Sequence, residues 1–223
     1  MDNDERLLIF AKFPEKGAVK TRLGRKTGEE TALDLYRCFV RDVIALSRKA
    51  GYAPLIFFHP PDAREAMMEW LGGCLAYEAQ EGDSLGERMY AAFRRAFRGC
   101  RRAVLIGADV PDLPPALVQE AFHSLETHGA VIGPAFDGGY YLIGFSSDRL
   151  LPDIFRDLPW GSPLVFELTR SILEKRGIAL HLLPRWRDID EYDDLAVFFD
   201  RWKDLPQGVL ATVDYLRAQR RRH

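Results

Sequence analysis

The chain has 223 residues, 47% of them hydrophobic, and 31 Lys and Arg against 33 Asp and Glu, a formal net charge of −2. That is enough to bury one large α/β core or two small ones, while the near-neutral balance offers no general attraction to nucleic acid or to an anionic membrane surface. No apolar run approaches the ~20 residues that a membrane-spanning helix needs, and the acidic start Met1-Asp2-Asn3-Asp4-Glu5-Arg6 has no secretory leader pattern. Cys38, Cys74 and Cys100 are odd in number and widely spaced, which indicates neither a disulfide framework nor a zinc site. Each reads as a free, partly buried thiol, and a cytoplasmic location is expected.

Leu7–Ala11 is the first strand, an unbroken apolar run. It opens into a basic loop over Lys12–Lys26 that carries Lys12, Lys16, Lys20, Arg22, Arg25 and Lys26 and is broken by Pro14, Gly17 and Gly24. Such a loop after a first strand either holds phosphate oxygens or is a solvated charged loop. Thr27-Gly28-Glu29-Glu30 fits a capping box, and the helix it opens shows Ala32, Tyr36, Phe39, Val43 and Ser47 on one face. Gly51 ends that helix. Pro54–Phe58 is the second strand, and Asp62-Ala63-Arg64-Glu65 is a second capping box opening a short helix through Trp70. Leu75–Ala79 is the third strand. Ser84 with Glu87 then caps a helix whose inner face is Met89, Phe93 and Phe97. Ahead of and inside that start, Gly82 and Gly86 either let the backbone approach a flat ligand such as a base or serve only as turn glycines.

Ala103-Val104-Leu105-Ile106-Gly107-Ala108-Asp109-Val110-Pro111 is a buried strand that stops abruptly, because Pro111 cannot donate to a ladder. Asp109 therefore sits at the carboxyl lip of a sheet, where open α/β sheets bind ligands. A lone carboxylate there suits a divalent cation carrying phosphates, or else orders the turn and caps the next helix. That helix runs from Asp112-Leu113-Pro114-Pro115 to Leu125, with its prolines in the first turn. Ala130–Gly133 and Tyr140–Phe145 are strands joined by the short link Pro134-Ala135-Phe136-Asp137-Gly138-Gly139, which predicts an antiparallel hairpin in an otherwise parallel sheet. Gly138-Gly139 either admits a ligand to Asp137 or makes a tight turn. Ser162 and Pro163 start another helix, and Ile178–Leu183 is the last strand. The acidic stretch Arg187-Asp188-Ile189-Asp190-Glu191-Tyr192-Asp193-Asp194 leads into a helix with Tyr192, Leu195, Phe199 and Trp202 on one face. Asp190 is either that helix's cap or part of a site, and Asp193 and Asp194 suit its positive first turn. The basic tail Arg217–His223 reads as a solvated helix end. Strands alternating with helices predict an α/β fold with helices on both faces, and no linker or repeat divides residues 1–223 into more than one domain.

The order of these features resembles a family. The basic loop after the first strand is followed by Gln80-x-Gly82-x-x-Leu85-Gly86, then Gly107-Ala108-Asp109-x-Pro111-x-Leu113, then Asp137-Gly138-Gly139-Tyr140-Tyr141 and Asp188-Ile189-Asp190. From about Leu7 to Trp202 the chain resembles the nucleotide-diphospho-sugar transferase superfamily of the glycosyltransferase-A fold. Within it, the chain looks closest to a bacterial branch of glycosyltransferases, some associated with arsenosugar biosynthesis. It is also similar to 2-phospho-lactate guanylyltransferases and molybdenum-cofactor guanylyltransferases.

The resemblance implies a three-layer α/β/α sandwich around a mixed, mostly parallel sheet. It implies a Mg²⁺ or Mn²⁺ ion held by Asp109 and one of Asp188 or Asp190. Lys12, Lys20 and Arg22 would take the diphosphate, and Gln80, Gly82, Leu85 and Gly86 would frame the base. Asp137, Gly138, Gly139 and Trp160 would face the sugar or acceptor, with Asp109, Asp137 and Lys20 nearest the chemistry. Two departures bear on this. The loop Lys12–Arg22 has the single glycine Gly17 where nucleotidyltransferases of the superfamily usually carry Gly-x-Gly-x-Arg. Asp109 is followed by Val110 and Pro111, so the second carboxylate of an Asp-x-Asp motif is missing. Transfer of a sugar to a small acceptor is the expected reaction, with nucleotidyl transfer to a phosphorylated acceptor as the alternative and a non-catalytic nucleotide sensor third. A nicotinamide-dependent oxidoreductase would want Gly-x-Gly-x-x-Gly after the first strand, which this loop lacks.

Overall fold

The computed structural model describes residues 4–221, so the leader reading at Met1–Asn3 and the last two residues of the basic tail lie outside the described residues. In chain order the elements are β1 (Glu5–Lys12), α1 (Thr21–Thr27), α2 (Glu29–Lys49), β2 (Leu55–His59), α3 (Arg64–Leu71), β3 (Ala76–Ala79), α4 (Leu85–Ala96), β4 (Arg102–Gly107), α5 (Pro115–Ser124), β5 (Ala130–Pro134), β6 (Tyr140–Ser146), α6 (Val165–Lys175), β7 (Leu180–Leu182), α7 (Tyr192–Trp202) and α8 (Ala211–Arg220). Among the described residues the strands form one seven-stranded sheet in the order β3-β2-β1-β4-β6-β5-β7. β6 runs antiparallel to both of its neighbours, and every other pairing is parallel.

Strand residues alternate between two cores. Leu7, Ile9, Val104, Ile106 and Val131 meet α2, α3 and α5 on one face. Leu8, Ala103, Leu105, Ala130 and Ile132 meet Met89, Ala92 and Phe93 of α4 and Phe166 and Leu173 of α6 on the other. The period of two along a pleated strand demands this split, and a sheet covered on both faces explains the unbroken apolar runs of β1 and β4. The three-layer α/β/α arrangement, with its mixed and mostly parallel sheet, is the expected one.

A third, smaller cluster lies outside these layers. Leu23 of α1, Leu35 and Phe39 of α2, Ile189, Leu195 and Phe198 of α7 and Val213 of α8 pack together. Phe39 therefore faces away from the main core that its neighbours Tyr36 and Val43 enter. The expected single apolar face of α2 is corrected: the helix is buried on two sides, because the carboxyl-terminal helices cover the second.

Helix starts differ from expectation in several places. The loop after β1 is shorter than expected, because Thr21–Thr27 forms α1. The Thr27 hydroxyl donates to the Leu23 carbonyl and so belongs to the end of α1, while Gly28 precedes α2 without a side-chain cap. No side chain caps α3 either, where Ala63 stands at the cap position. α6 begins at Val165 rather than at Ser162; the Ser162 hydroxyl takes the Leu164 N–H in the turn before it. Asp190 is not the cap of α7: Glu191 and Asp194 form that capping box, and Tyr192 is 46% exposed rather than on the buried face. The Ser84–Glu87 capping box at α4 forms as expected. Cys38, Cys74 and Cys100 are all free thiols, but Cys38 and Cys100 are buried and Cys74 is exposed. No helix among the described residues is long and apolar enough to cross a membrane.

The carboxyl-terminal helices are tied to the sheet layers through one buried carboxylate. Asp42 of α2 accepts hydrogen bonds from the Ala211 N–H at 2.7 Å, the Thr212 N–H at 2.9 Å and the Thr212 hydroxyl at 2.7 Å, serving the otherwise unpaired first turn of α8. Burial pushes the Asp42 carboxyl above its ordinary value, and these donors act in the opposite sense. Replacing Asp42 by Ala leaves them without an acceptor, and a loss of about 2–4 kcal/mol is expected. A lowered melting temperature, with faster amide exchange in α8 than in β1 or β4, checks this.

Candidate functional site

β1 and β4 pair in parallel up to Phe10 opposite Gly107, so the loops that follow them leave from the same end of the sheet. Between those loops and the β5–β6 link opens a cleft of about 520 Å³, a size ordinary for a small-molecule site. Lys12, Lys20 and Arg22 line it from the first loop and α1, and Asp109 lines it from the end of β4. Asp137, Gly139 and Tyr140 come from the β5–β6 link, Trp160 from the loop before α6, and Asp188 and Asp190 from the stretch before α7. Gln80 and Leu85 line the opposite part.

The centre of the cleft is an ammonium group. Lys20 Nζ lies 2.6 Å from Asp109 Oδ1 and 2.7 Å from Asp190 Oδ1, and donates to the Ile189 carbonyl at 2.6 Å. Its side chain is 5% exposed, against 41% and 42% for the two carboxylates. Burial disfavours the charge on Lys20, but Asp109 and Asp190 outweigh it and hold the ammonium above the ordinary lysine value. Burial likewise opposes the charge on Asp190, yet Lys20, and beyond it Arg22, keep that carboxyl below its ordinary value. Lys20 itself has φ 47, a left-handed backbone that a side chain other than glycine rarely adopts. The turn is what lets a residue at the mouth of α1 reach inward.

Among the described residues Asp188 forms no ion pair with Lys20, which pairs with Asp109 and Asp190. Burial, followed by the nearby charges of Asp137, Asp190 and Asp109, pushes its carboxyl up to about 7. The donor set fits a hard divalent cation: Asp109 and Asp190 each turn one oxygen toward a common point, and negative charge exceeds positive around Asp188. Among the described residues no group of three His, Cys, Asp or Glu side chains could hold an ion unaided. An ion here would complete its shell with phosphate oxygens and water, as Mg²⁺ commonly does.

The stretch carrying these carboxylates is held rigidly. The Ile189 N–H donates to the Asp109 carbonyl at 2.9 Å, and the Ile189 side chain is 1% exposed in the third cluster. Asp188 and Asp190 face the cleft, while Arg187 and Ile189 line a separate hollow of about 240 Å³ with Phe136 and Trp186. Asp112, expected only to start a helix, lies beneath that hollow and accepts from the indole N–H groups of Trp186 and Trp202 at 3.0 and 2.7 Å.

Three expected site residues lie elsewhere. Gly82, Gly86 and Gly138 do not line the cleft. Gly82 has φ 124, and a Cβ there would lie 2.7 Å from Glu87 Cβ. A Cβ on Gly86 would meet the Phe155 carbonyl and would lie 2.7 Å from Trp160 Nε1. Gly138 is pressed against the Pro163 backbone. At each of the three, the space a side chain would need is taken by another part of the protein. Asp137 lines the cleft, and one of its oxygens takes the Gly139 N–H at 2.8 Å. Tyr36 and Arg88 are among the lining residues that the sequence did not place at the site. Tyr36 exchanges hydrogen bonds with the Lys12 backbone, accepting at 2.7 Å and donating at 3.1 Å, and so fixes the start of the basic loop. Arg88 donates to the Gly82 carbonyl at 2.8 Å. Both sit at positions where helical periodicity is satisfied by packing, so spacing alone does not mark them.

A family model described as an uncharacterized protein conserved in bacteria (DUF2064) matches residues 43–162. No curated protein matches the chain. Among solved structures, a protein of Desulfovibrio desulfuricans G20, provisionally described as a nucleotide-diphospho-sugar transferase, is 39% identical. The match covers 99% of this chain and 96% of that one with a TM-score of 0.93. The nucleotidyl transferase Mth528 of Methanothermobacter is 16% identical, over 97% of this chain and 99% of that one, with a TM-score of 0.63. Rv0371C of Mycobacterium tuberculosis H37Rv, solved as a complex with manganese, is 12% identical, over 88% of this chain and 98% of that one, with a TM-score of 0.56. The fold is thus of the glycosyltransferase-A and nucleotidyltransferase type.

Gly86→Ala drives a methyl group into the wall formed by Phe155 and Trp160, and a loss of about 1–3 kcal/mol is expected. Thermal melting reads that loss, and a changed Trp160 environment appears in the intrinsic fluorescence.

Proposed function

Because the chain belongs to the DUF2064 family of bacterial proteins, we propose that it is a transferase that binds a nucleotide-diphosphate sugar and passes the sugar to a small acceptor. The observation that carries this reading is the meeting of Asp109, Asp188 and Asp190 with Lys20 and Arg22 in one cleft at the carboxyl lip of the sheet. Lys12, Lys20 and Arg22 bind and orient the diphosphate. With the diphosphate bound, their positive charges oppose the negative charge that builds on the leaving group. Gln80 is held by its amide N–H on the Phe57 carbonyl at 2.9 Å, and with Leu85 it frames the base. Asp137, aimed by the Gly139 N–H, stands on the acceptor side with Trp160 and receives the proton of the attacking hydroxyl. A Mg²⁺ or Mn²⁺ ion held by Asp109 with Asp188 or Asp190 would supply further neutralisation of the diphosphate.

A second reading rests on the same cationic residues. Three basic side chains from one short segment line the cleft, a density that also suits the triphosphate of a nucleotidyltransferase, and the likeness to Mth528 favours it. The two reactions differ in what leaves: a nucleoside diphosphate in sugar transfer, pyrophosphate in nucleotidyl transfer.

The experiment is a thermal-shift and calorimetric screen of nucleotide sugars and nucleoside triphosphates with and without Mg²⁺ or Mn²⁺, followed by mass spectrometry of products against an acceptor panel. Metal-dependent stabilisation by a nucleotide sugar, and release of nucleoside diphosphate, is the expected result. Stabilisation by nicotinamide dinucleotides alone would remove the transferase reading. Asp109→Asn keeps the shape and removes the charge. It is expected to abolish metal-dependent nucleotide binding and to lower the melting temperature moderately, since it removes one of the two counter-charges of the buried Lys20 ammonium. A large fall in melting temperature with unchanged nucleotide affinity would make Asp109 structural only.

A further inference from the structure

We propose that Lys20 and the divalent cation compete for the same two carboxylate oxygens, so that Lys20 closes the cation site until a diphosphate draws its ammonium away. This rests on the transferase reading for its ligands, but its evidence is the geometry around one nitrogen. A lysine ammonium has three donors and no acceptor. All three are matched at Lys20, by Asp109 Oδ1 at 2.6 Å, Asp190 Oδ1 at 2.7 Å and the Ile189 carbonyl at 2.6 Å. Oxygen-bound divalent ions sit about 2.0–2.6 Å from their ligands. An ion shared by these two carboxylate oxygens would therefore stand where Nζ now stands. Two cations cannot occupy one point, and at such separations in a partly buried cleft like charges repel strongly.

The backbone of Lys20 is anchored between the buried Val19 and the first turn of α1, and its side chain shares the cleft with Lys12 and Arg22. A diphosphate lying along those residues offers the oxygen acceptors that Lys20 would lose on giving up Asp109 and Asp190. The cation then takes the vacated carboxylates. Each ligand removes the obstacle the other meets, so the two bind with positive coupling. Neither is expected to bind tightly by itself. Asp188 does not change this order: among the described residues Lys20 pairs with Asp109 and Asp190 and not with Asp188, which supplies only a further acceptor for the incoming ion.

The test is Mn²⁺ binding, read by electron paramagnetic resonance in phosphate-free buffer. Wild type is expected to bind Mn²⁺ weakly. Lys20→Met, which keeps the length and removes the charge, is expected to bind it roughly tenfold or more tightly. Lys20→Arg, which keeps a cation in the cleft, is expected to remain as weak as wild type. Lys20→Met binding no tighter than wild type would overturn the proposal, and so would equal tightening by Lys20→Arg. Should Lys20→Met fail to fold, wild type gives the second readout through reductive methylation followed by mass spectrometry. Lys20 is expected to react slowly in the free protein and faster with saturating Mg²⁺, which expels its side chain into the cleft. A rate unaffected by Mg²⁺ would overturn the proposal. No nucleotide sugar enters either measurement, so the competition stands or falls separately from the transferase reading.

Discussion

The buried ammonium of Lys20 joins three parts of the chain that no local rule would bring together. Asp109 ends the central strand, Asp190 lies 170 residues beyond Lys20, and Ile189 between them is packed in the outer cluster. Taking a lysine out of water is costly unless its charge is matched. Here the match is made by two carboxylates that retain much of their own hydration, which lowers the cost of the pair. The cleft, its charge balance and the position of the carboxyl-terminal stretch all depend on that arrangement.

The two kinds of packing in the molecule divide the labour. The main cores on either face of the sheet set where β1 and β4 end. The outer cluster, with Leu23 of α1 beside Ile189 and Phe198, sets how the acidic stretch approaches those ends. Asp42 and the first turn of α8 complete that outer layer. The site is therefore assembled from the carboxyl lip of the sheet and one strap laid across it, and both contribute a carboxylate to the ammonium at its centre.

Much of this architecture is legible in the residues themselves. β4 and Asp109 stand out because an apolar run halted by Gly-Ala-Asp-x-Pro has few other readings, and the Pro134–Gly139 link is too short for anything but a hairpin. The approach of Asp190 to Asp109 is not legible, since sequence spacing carries no information about contacts made across the whole chain. The role of Lys20 is hidden for a second reason: it depends on a left-handed backbone at a residue that usually avoids it. The glycines carry a different ambiguity. Protein walls lie close to Gly86 and Gly138, and a pattern cannot distinguish that from room left for a ligand. Thr27 misleads similarly, since a hydroxyl next to a helix start serves the preceding helix end equally well.

The stretch from Arg187 to Asp190 has acidic side chains toward the cleft and Arg187 and Ile189 toward the opposite hollow. Such two-sided alternation is all-or-nothing. Gain or loss of one residue ahead of Asp188 would turn the segment over, presenting an arginine to the diphosphate side and stranding two carboxylates against the apolar cluster. Relatives that keep this chemistry are thus constrained in the length of this connection more tightly than in its composition, and length variation should be confined to loops that carry no such two-faced register.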